Sequence, residues 1–598
     1  MKNDSQNFIF AILLSILVMV GWHYFYAGPQ IEEAKRKSAQ NQSVANGDTA
    51  KDTQVHKSGI GVSTNIIVAV PRDEALKLSP RVKIETPKLS GSIALKGGRI
   101  DDLSLVKYRE TVDPKSKNIE LLSPSGSANP FYAEFGWVKV GDSAIELPDQ
   151  NTFWSASNTT LTPEKPVTLT YDNGKGVVFK RTISVDSNSL FEIKHVVEKT
   201  GGDPVVLAPF GLISRHGKPR TEGFYILHEG LIGVAGEEGL QEYTYDKIMK
   251  EPAIAPSING KSWKNAVGGF IGITDKYWAA ALIPDQTSPY EMRMSSSSKM
   301  PQTFQTDVLA APITLTAGTP ITYTQRLFAG AKEFATIEGY SKTLNIKRFD
   351  LLIDWGWFHF ITRPMFQAID WFNHLTGNFG LAILIVTVLL KLVFFPLANK
   401  SYASMARMKA VQPQMTVIRE RYADDRMKQQ QELMELYKRE KINPLAGCWP
   451  VLIQIPVFFA LYKVLFVTIE MRHAPFYGWI KDLAAPDPTS LFNLFGLLPI
   501  SLPAFLTVGV WPILMGITMF VQMKMNPEPT DPIQKTMFTW MPVVFTFMLA
   551  AFPAGLVIYW TWNNLLSILQ QGYIMKKQGT KIELWDNVRG LFSAKTSK

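Results

Sequence analysis

The pattern of apolar and polar positions divides the chain in two. From about residue 27 to 347 the chain is polar and rich in Gly, Pro, Ser and Thr, with short alternating apolar and polar segments from about 65 to 343, whereas from 349 to 574 apolar residues run on in long stretches. Alternation places successive side chains on opposite faces of a half-buried strand. The segments 92–95 before Gly97-Gly98, 167–171 before Asn173-Gly174, 177–185, and 191–197 before Gly201-Gly202 follow that rule. Asn-Gly between two such runs is a hairpin signal. These features predict a large all-β sandwich domain over 65–345.

The long apolar stretches are of the length that crosses a bilayer, about 20 residues. The first, 8–26, is read as an uncleaved anchor within 1–27. A signal peptide is the alternative, but Phe25 and Ala27 do not form a small-residue cleavage site and Lys2 alone precedes the run as a cation. Residues 28–64 are polar and read as a flexible linker. In 346–377, Gln367, Asp370 and His374 form one polar stripe on a helix otherwise covered by Met365, Phe366, Ile369, Trp371 and Phe372, which suits the membrane interface. Five more spans follow at 379–398, 448–467, 506–523, 537–552 and 555–573, making six. The boundary of the fourth stays open, because 491–523 is too long for one crossing and holds Pro499, Pro503 and Pro512. A helical hairpin at 399–446, broken near Ala423-Asp424-Asp425 and kinked at Pro413, has ten Lys or Arg against six acids, and the tail 574–598 has six against two. By the positive-inside rule both are cytoplasmic, as is the N-terminus, and the β domain lies on the other side. Lys35, Arg36 and Lys37 oppose this locally, but a long domain translocates regardless of such charges.

Composition adds exclusions. The net charge of +10 is concentrated beside apolar runs, where anionic headgroups explain it better than nucleic acid. A single cysteine, Cys448, rules out an internal disulfide, and the eight scattered histidines have no metal-ligand spacing. APSINGKS at 255–262 ends like a phosphate-binding loop but has Ala255 in place of the first glycine. With no Gly-x-Ser-x-Gly elbow and no paired carboxylates, the sequence offers no enzyme and no cofactor.

Lys391 is the candidate for chemistry, as the one charge inside 379–397. A cation near mid-bilayer costs about 2.5–3.5 kcal/mol, so it is expected in a protein interior or a watery recess. Snorkelling is the alternative, yet Lys400 marks the interface about 13 Å further along the helix, beyond the reach of the stem. Thr387, Gln454, Gln522, Asn563, Asn564 and Gln570 recur in the spans and, with no acid among them, suggest the lining of a hydrated recess. A transporter or channel, the main rival, more often carries acidic groups there and two related halves. A membrane-anchored carbohydrate-active β domain is the second rival. On the 399–446 hairpin, Met405, Met408, Met415, Met427 and Met434 form a row that serves either packing or an adaptable client or ribosome surface, with Glu435 and Arg439 spaced to pair.

The segments LLKLVFFPLANKSYASMARMKAVQPQM (389–415), NPLAGCWPVLIQIPVFFALY (443–462), DPIQKTMFTWMPVVFTF (531–547) and FPAGLVIYWTWNNL (552–565) strongly resemble the YidC-type membrane protein insertases of bacterial inner membranes. The resemblance covers about 350–573, and the anchor plus outer β domain is like that of the Gram-negative members. It implies a membrane α-helical bundle of six transmembrane helices with a five-helix insertase core at 378–573, and a periplasmic β domain resembling sugar mutarotases. A hydrophilic groove opens to the cytoplasm and to lipid. One cation marks the groove, usually arginine, and Lys391 occupies its place. Thr387 matches a client-contacting hydroxyl, while Tyr559 and Trp560 fall where relatives often have two tyrosines. Gln454 and Asn563 complete the expected groove. The implied function is an insertase and chaperone, working alone or with the Sec translocon. The implied partners are nascent membrane proteins, the ribosome, SecYEG, SecDF and membrane lipids, and the protein is expected to be monomeric.

Overall fold

The computed structural model describes residues 70–141, 145–221, 227–297, 299, 302–440, 449–492, 498, 507–525 and 532–577. The anchor at 1–27, the linker at 28–64 and the tail from 578 lie outside the described residues.

The β domain consists of a 12-stranded and a nine-stranded sheet, almost entirely antiparallel. The strand Val177–Val185 shows how the sequence builds it: Val177, Phe179, Arg181, Ile183 and Val185 are all buried and the residues between them are not. It pairs with Val167–Asp172 through the expected hairpin, in which Asn173 Oδ1 accepts the Val177 N–H at 3.1 Å. Gly174 has φ +66°, the left-handed region that glycine enters without a Cβ penalty. Arg181 points into the sandwich, where it donates to the carbonyls of Gly98 and Phe135 and lies 4.7 Å from the Trp154 ring. The phosphate-loop reading of 255–262 fails. Ala253–Ala255 and Ile258–Ala266 form a β-hairpin with Ser257 at φ +62°, and no helix follows to receive a phosphate.

Ten helices are named here: α1 (Phe334–Thr343), α2 (His359–Thr376), α3 (Phe379–Val393), α4 (Phe395–Ala410), α5 (Gln412–Arg421), α6 (Arg426–Arg439), α7 (Trp449–Val467), α8 (Val510–Met525), α9 (Pro532–Leu549) and α10 (Ala554–Lys577). Among the described residues no single helix is long and apolar enough to cross a membrane. Only together do Phe379–Val393 and Phe395–Ser404 reach that length, and they are bent by 61°. This corrects the straight helix expected over 379–398. Pro396 lacks an N–H and its ring clashes with the carbonyl four residues earlier, so the chain breaks at Phe394. The span expected from 506 begins as a helix at Val510. There Asp487 Oδ2 accepts the Trp511 N–H at 2.9 Å and Thr489 Oγ1 accepts the Val510 N–H at 3.0 Å, so a distant loop caps α8. Gly509 permits that approach, since a Cβ there would lie 2.5 Å from the Asp487 carboxyl carbon.

The charged hairpin is broken where expected, with Asp425 capping α6 through the Lys428 N–H at 3.0 Å, and its first arm is broken at Val411, two residues before Pro413. Arg439 does not pair with Glu435; it binds Gln414 at 3.0 Å and Glu440 at 3.2 Å, because Gln414 on the facing arm is within its reach.

One apolar cluster joins the β domain to the helices. Ile232, Phe270 and Phe328 pack through Phe349, Leu352 and Trp355 to Met365, Phe366, Ile383, Leu465 and Tyr559. Asp354 lies beside this cluster, accepting Lys463 Nζ from α7 at 2.7 Å and the His228 N–H from the β domain at 2.8 Å.

Candidate functional site

A cavity of about 570 Å³ opens between α3, α4, α7, α8, α10 and the second half of α9. Thr387, Lys391, Gln454, Tyr559, Trp560 and Asn563 come together in its lining. Asn564, Gln522 and Gln570 join them. Among the described residues Lys391 is the one charged residue in the lining, and no acid stands there.

Each side chain is placed by its helix. Lys391 stands in the last turn of α3 and its Nζ donates to Ser567 Oγ on α10 at 2.8 Å, so the ammonium turns inward and does not snorkel. The Ser567 hydroxyl in turn donates a hydrogen bond to the Asn563 carbonyl at 2.7 Å. Thr387, one turn before Lys391, is buried and donates back to the Ile383 carbonyl at 2.7 Å. Gln454 Nε2 donates to the Tyr559 hydroxyl across the cavity. Trp560 has no hydroxyl to offer; its ring lies 4.4 Å from that of Phe458 and edge-on to Phe545, making an apolar wall. Asn563 Oδ1 is buried without a hydrogen-bond partner. Leu390, Phe394, Ile455, Phe459, Met519 and Met523 supply apolar surface.

This arrangement can hold an anionic or polar group near Lys391 while an apolar segment lies along the same walls. A hydrogen bond to a charged group contributes about 1.5–3 kcal/mol, comparable with the cost of placing the cation there, but Ser567 brings no opposite charge. The ammonium is therefore held in place with no carboxylate to neutralise it among the described residues of the lining.

Ser567 and Tyr402 were not singled out from the sequence. Ser567 follows Asn563 by one helical turn and carries the polar face of α10 onward, a spacing that could have revealed it. The methionines of the hairpin divide. Met415 is buried with Val411 and Leu436, and Met408 packs on the same cluster. Met427 and Met434 are exposed, and Met405 lies on α4.

The family model described as 60Kd inner membrane protein matches residues 371–581, and that of the YidC periplasmic domain matches 81–368. Membrane protein insertase YidC of Methylobacterium sp. is 58% identical over 620 residues, covering 100% of this chain and 99% of its own. The protein of that name from Methylobacterium nodulans is 60% identical over 597 residues, covering 99% and 98%. The crystal structure of an active YidC insertase with its first transmembrane domain resolved is 17% identical, covers 82% of this chain and 92% of its own, and superposes with a TM-score of 0.33.

Proposed function

Because the chain belongs to the YidC family of membrane protein insertases of the inner membrane, with a periplasmic domain, we propose that it acts on nascent membrane proteins through the cavity at Lys391. The observation that carries this reading is the ammonium held by a neutral hydroxyl in a cavity that has no acid among the described residues of its lining. A hydrophobic client segment enters along Leu390, Phe394, Phe459 and Met519 while its short polar flank, often acidic, is drawn to Lys391. The flank thereby avoids the full cost of crossing hydrocarbon, and the segment leaves sideways into lipid. Burial of its apolar side chains drives that departure at about 25 cal/mol per Å².

In this reading the spans are those of the family, six with the anchor at 8–26, both termini are cytoplasmic and the β domain is periplasmic. Helix α2 lies flat at the outer interface, which agrees with the exposure of Phe360, Trp371 and Leu375. The cytoplasmic hairpin meets clients or the ribosome through Met427 and Met434, while Met408 and Met415 hold its arms together. Work beside the Sec translocon uses surfaces outside the cavity.

The test replaces Lys391 by arginine, alanine or glutamate and follows insertion of a small single-span client with an acidic flank in cells depleted of their own insertase. Arginine is expected to preserve or improve activity, since its planar fork pairs with a carboxylate through two hydrogen bonds. Alanine should impair insertion and glutamate abolish it. Full activity with glutamate would overturn the charge argument.

A further inference from the structure

Glu470 lies in the turn Ile469–Met471 directly after α7, and its side chain leaves the helical core for the β domain. Its Oε1 accepts the N–H of Phe334, the first residue of α1, at 2.7 Å. That helix has no cap of its own, because the side chain of its N-cap residue Glu333 accepts none of its amides. Glu333 is turned instead to Lys88 at 2.6 Å, Tyr108 at 2.8 Å and Thr336 at 3.1 Å. A residue 136 positions away thus supplies the missing cap.

The rest of the carboxylate is poorly supported. Glu470 Oε2 is buried without a hydrogen-bond partner. Two acids face it, Glu333 beside α1 and Asp370 on α2, and among the described residues Asp370 has His374 at 3.6 Å as its counter-group. The nearby Arg472 is turned away, donating to the carbonyls of Arg109 at 2.6 Å and Glu110 at 3.2 Å and lying against the rings of Tyr277 and Trp278. Ile469 is part of the sandwich core, so the loop that carries Glu470 is held in the β domain on both sides of it.

We propose that Glu470 is a proton-operated latch between the helical core and the β domain: protonated, it holds the start of α1 closed on the loop after α7, and ionised, it loosens that contact. Burial, reinforced by Glu333 and Asp370, pushes its carboxyl up from 4.5 to about 7, against the amides of Phe334 and of Glu470 itself, which favour the anion. When the contact opens, water reaches the carboxylate and its ordinary value returns. A group raised in the closed state stabilises that state fully below the ordinary value and ceases to do so as pH rises through the raised one. The contact is therefore tightest in acid and weakens between about pH 4.5 and 7.

Hydrogen exchange of the full chain in lipid nanodiscs tests this, with each rate referred to the intrinsic rate at the same pH. Protection of the amides of 334–337 should fall on the order of 100-fold between pH 5 and pH 8. Glu470→Gln should remove the pH dependence, and Asp370→Asn, which takes away one facing charge, should move the fall to lower pH. Flat protection in the unaltered chain, a fall that persists in Glu470→Gln, or a midpoint that does not drop in Asp370→Asn would each overturn the latch.

Discussion

Lys391 Nζ rests 2.8 Å from Ser567 Oγ, a partner 176 residues further along the chain. The contact fixes where the ammonium waits between clients without neutralising it. Ser567→Ala should leave insertion largely intact, because the cavity still holds the charge. Ser567→Asp supplies a permanent carboxylate that competes with the client, and insertion of an acidic-flank client should fall about tenfold or more, equivalent to ~1.4 kcal/mol. The measurement is the rate of client insertion in depleted cells, and equal rates for the two variants would refute the competition.

Gln454 donates to the Tyr559 hydroxyl across the cavity. Tyr559→Phe strands the amide and should lower thermal stability in detergent by about 1–3 kcal/mol. Pairing it with Gln454→Leu removes both polar groups and should recover most of that loss. If the double variant is no more stable than Tyr559→Phe alone, the bond is not the reason for the loss.

Lys463 on α7 and Asp354 form a buried ion pair at 2.7 Å, and Asp354 also accepts the His228 N–H. Removing one partner of such a pair leaves a charge inside the protein and costs about 3–5 kcal/mol. Asp354→Ala should therefore loosen the β domain and the helices together, seen as faster proteolysis at both. Lys463→Met combined with Asp354→Leu should restore much of the resistance.

Three histidines of the β domain are held neutral. Burial, with Arg181 nearby, keeps His195 well below its ordinary range. Burial lowers His216, beside Arg99, and His228 each to about 4. A base whose value is lowered on folding contributes stability above its unfolded value, near 6.5, and loses it as pH falls toward 4. The unfolding free energy of the β domain, followed by tryptophan fluorescence in urea, should drop by about 1–3 kcal/mol for each of these histidines between pH 7.5 and pH 4.5. Replacing His216 and His228 by glutamine should flatten that slope.

The β architecture was legible because alternation in 177–185 leaves only one way to bury Phe179 and Ile183. Lys391 was legible because a cation in an apolar run is costly wherever the chain folds. Its holder was not, since a serine within a helix is unremarkable until a second helix is laid beside it. The methionine row read as one surface divides into Met415 inside and Met427 outside, because the side on which two arms meet depends on their crossing, which no single helix encodes. The start of α8 was hidden for the same reason, its cap coming from Asp487, 24 positions before Trp511.

The 61° bend at Phe394 does more than shorten α3. By ending the helix two residues after Lys391, it places that residue in the last turn of α3, where the helix dipole presents about half a negative charge. This favours a cation by about 0.3–1 kcal/mol without using any side chain. In an unbroken helix the same lysine would lie in mid-segment, away from the end of the dipole. Pro396 thus gives the ammonium a diffuse counter-field, weak enough for an arriving carboxylate to replace.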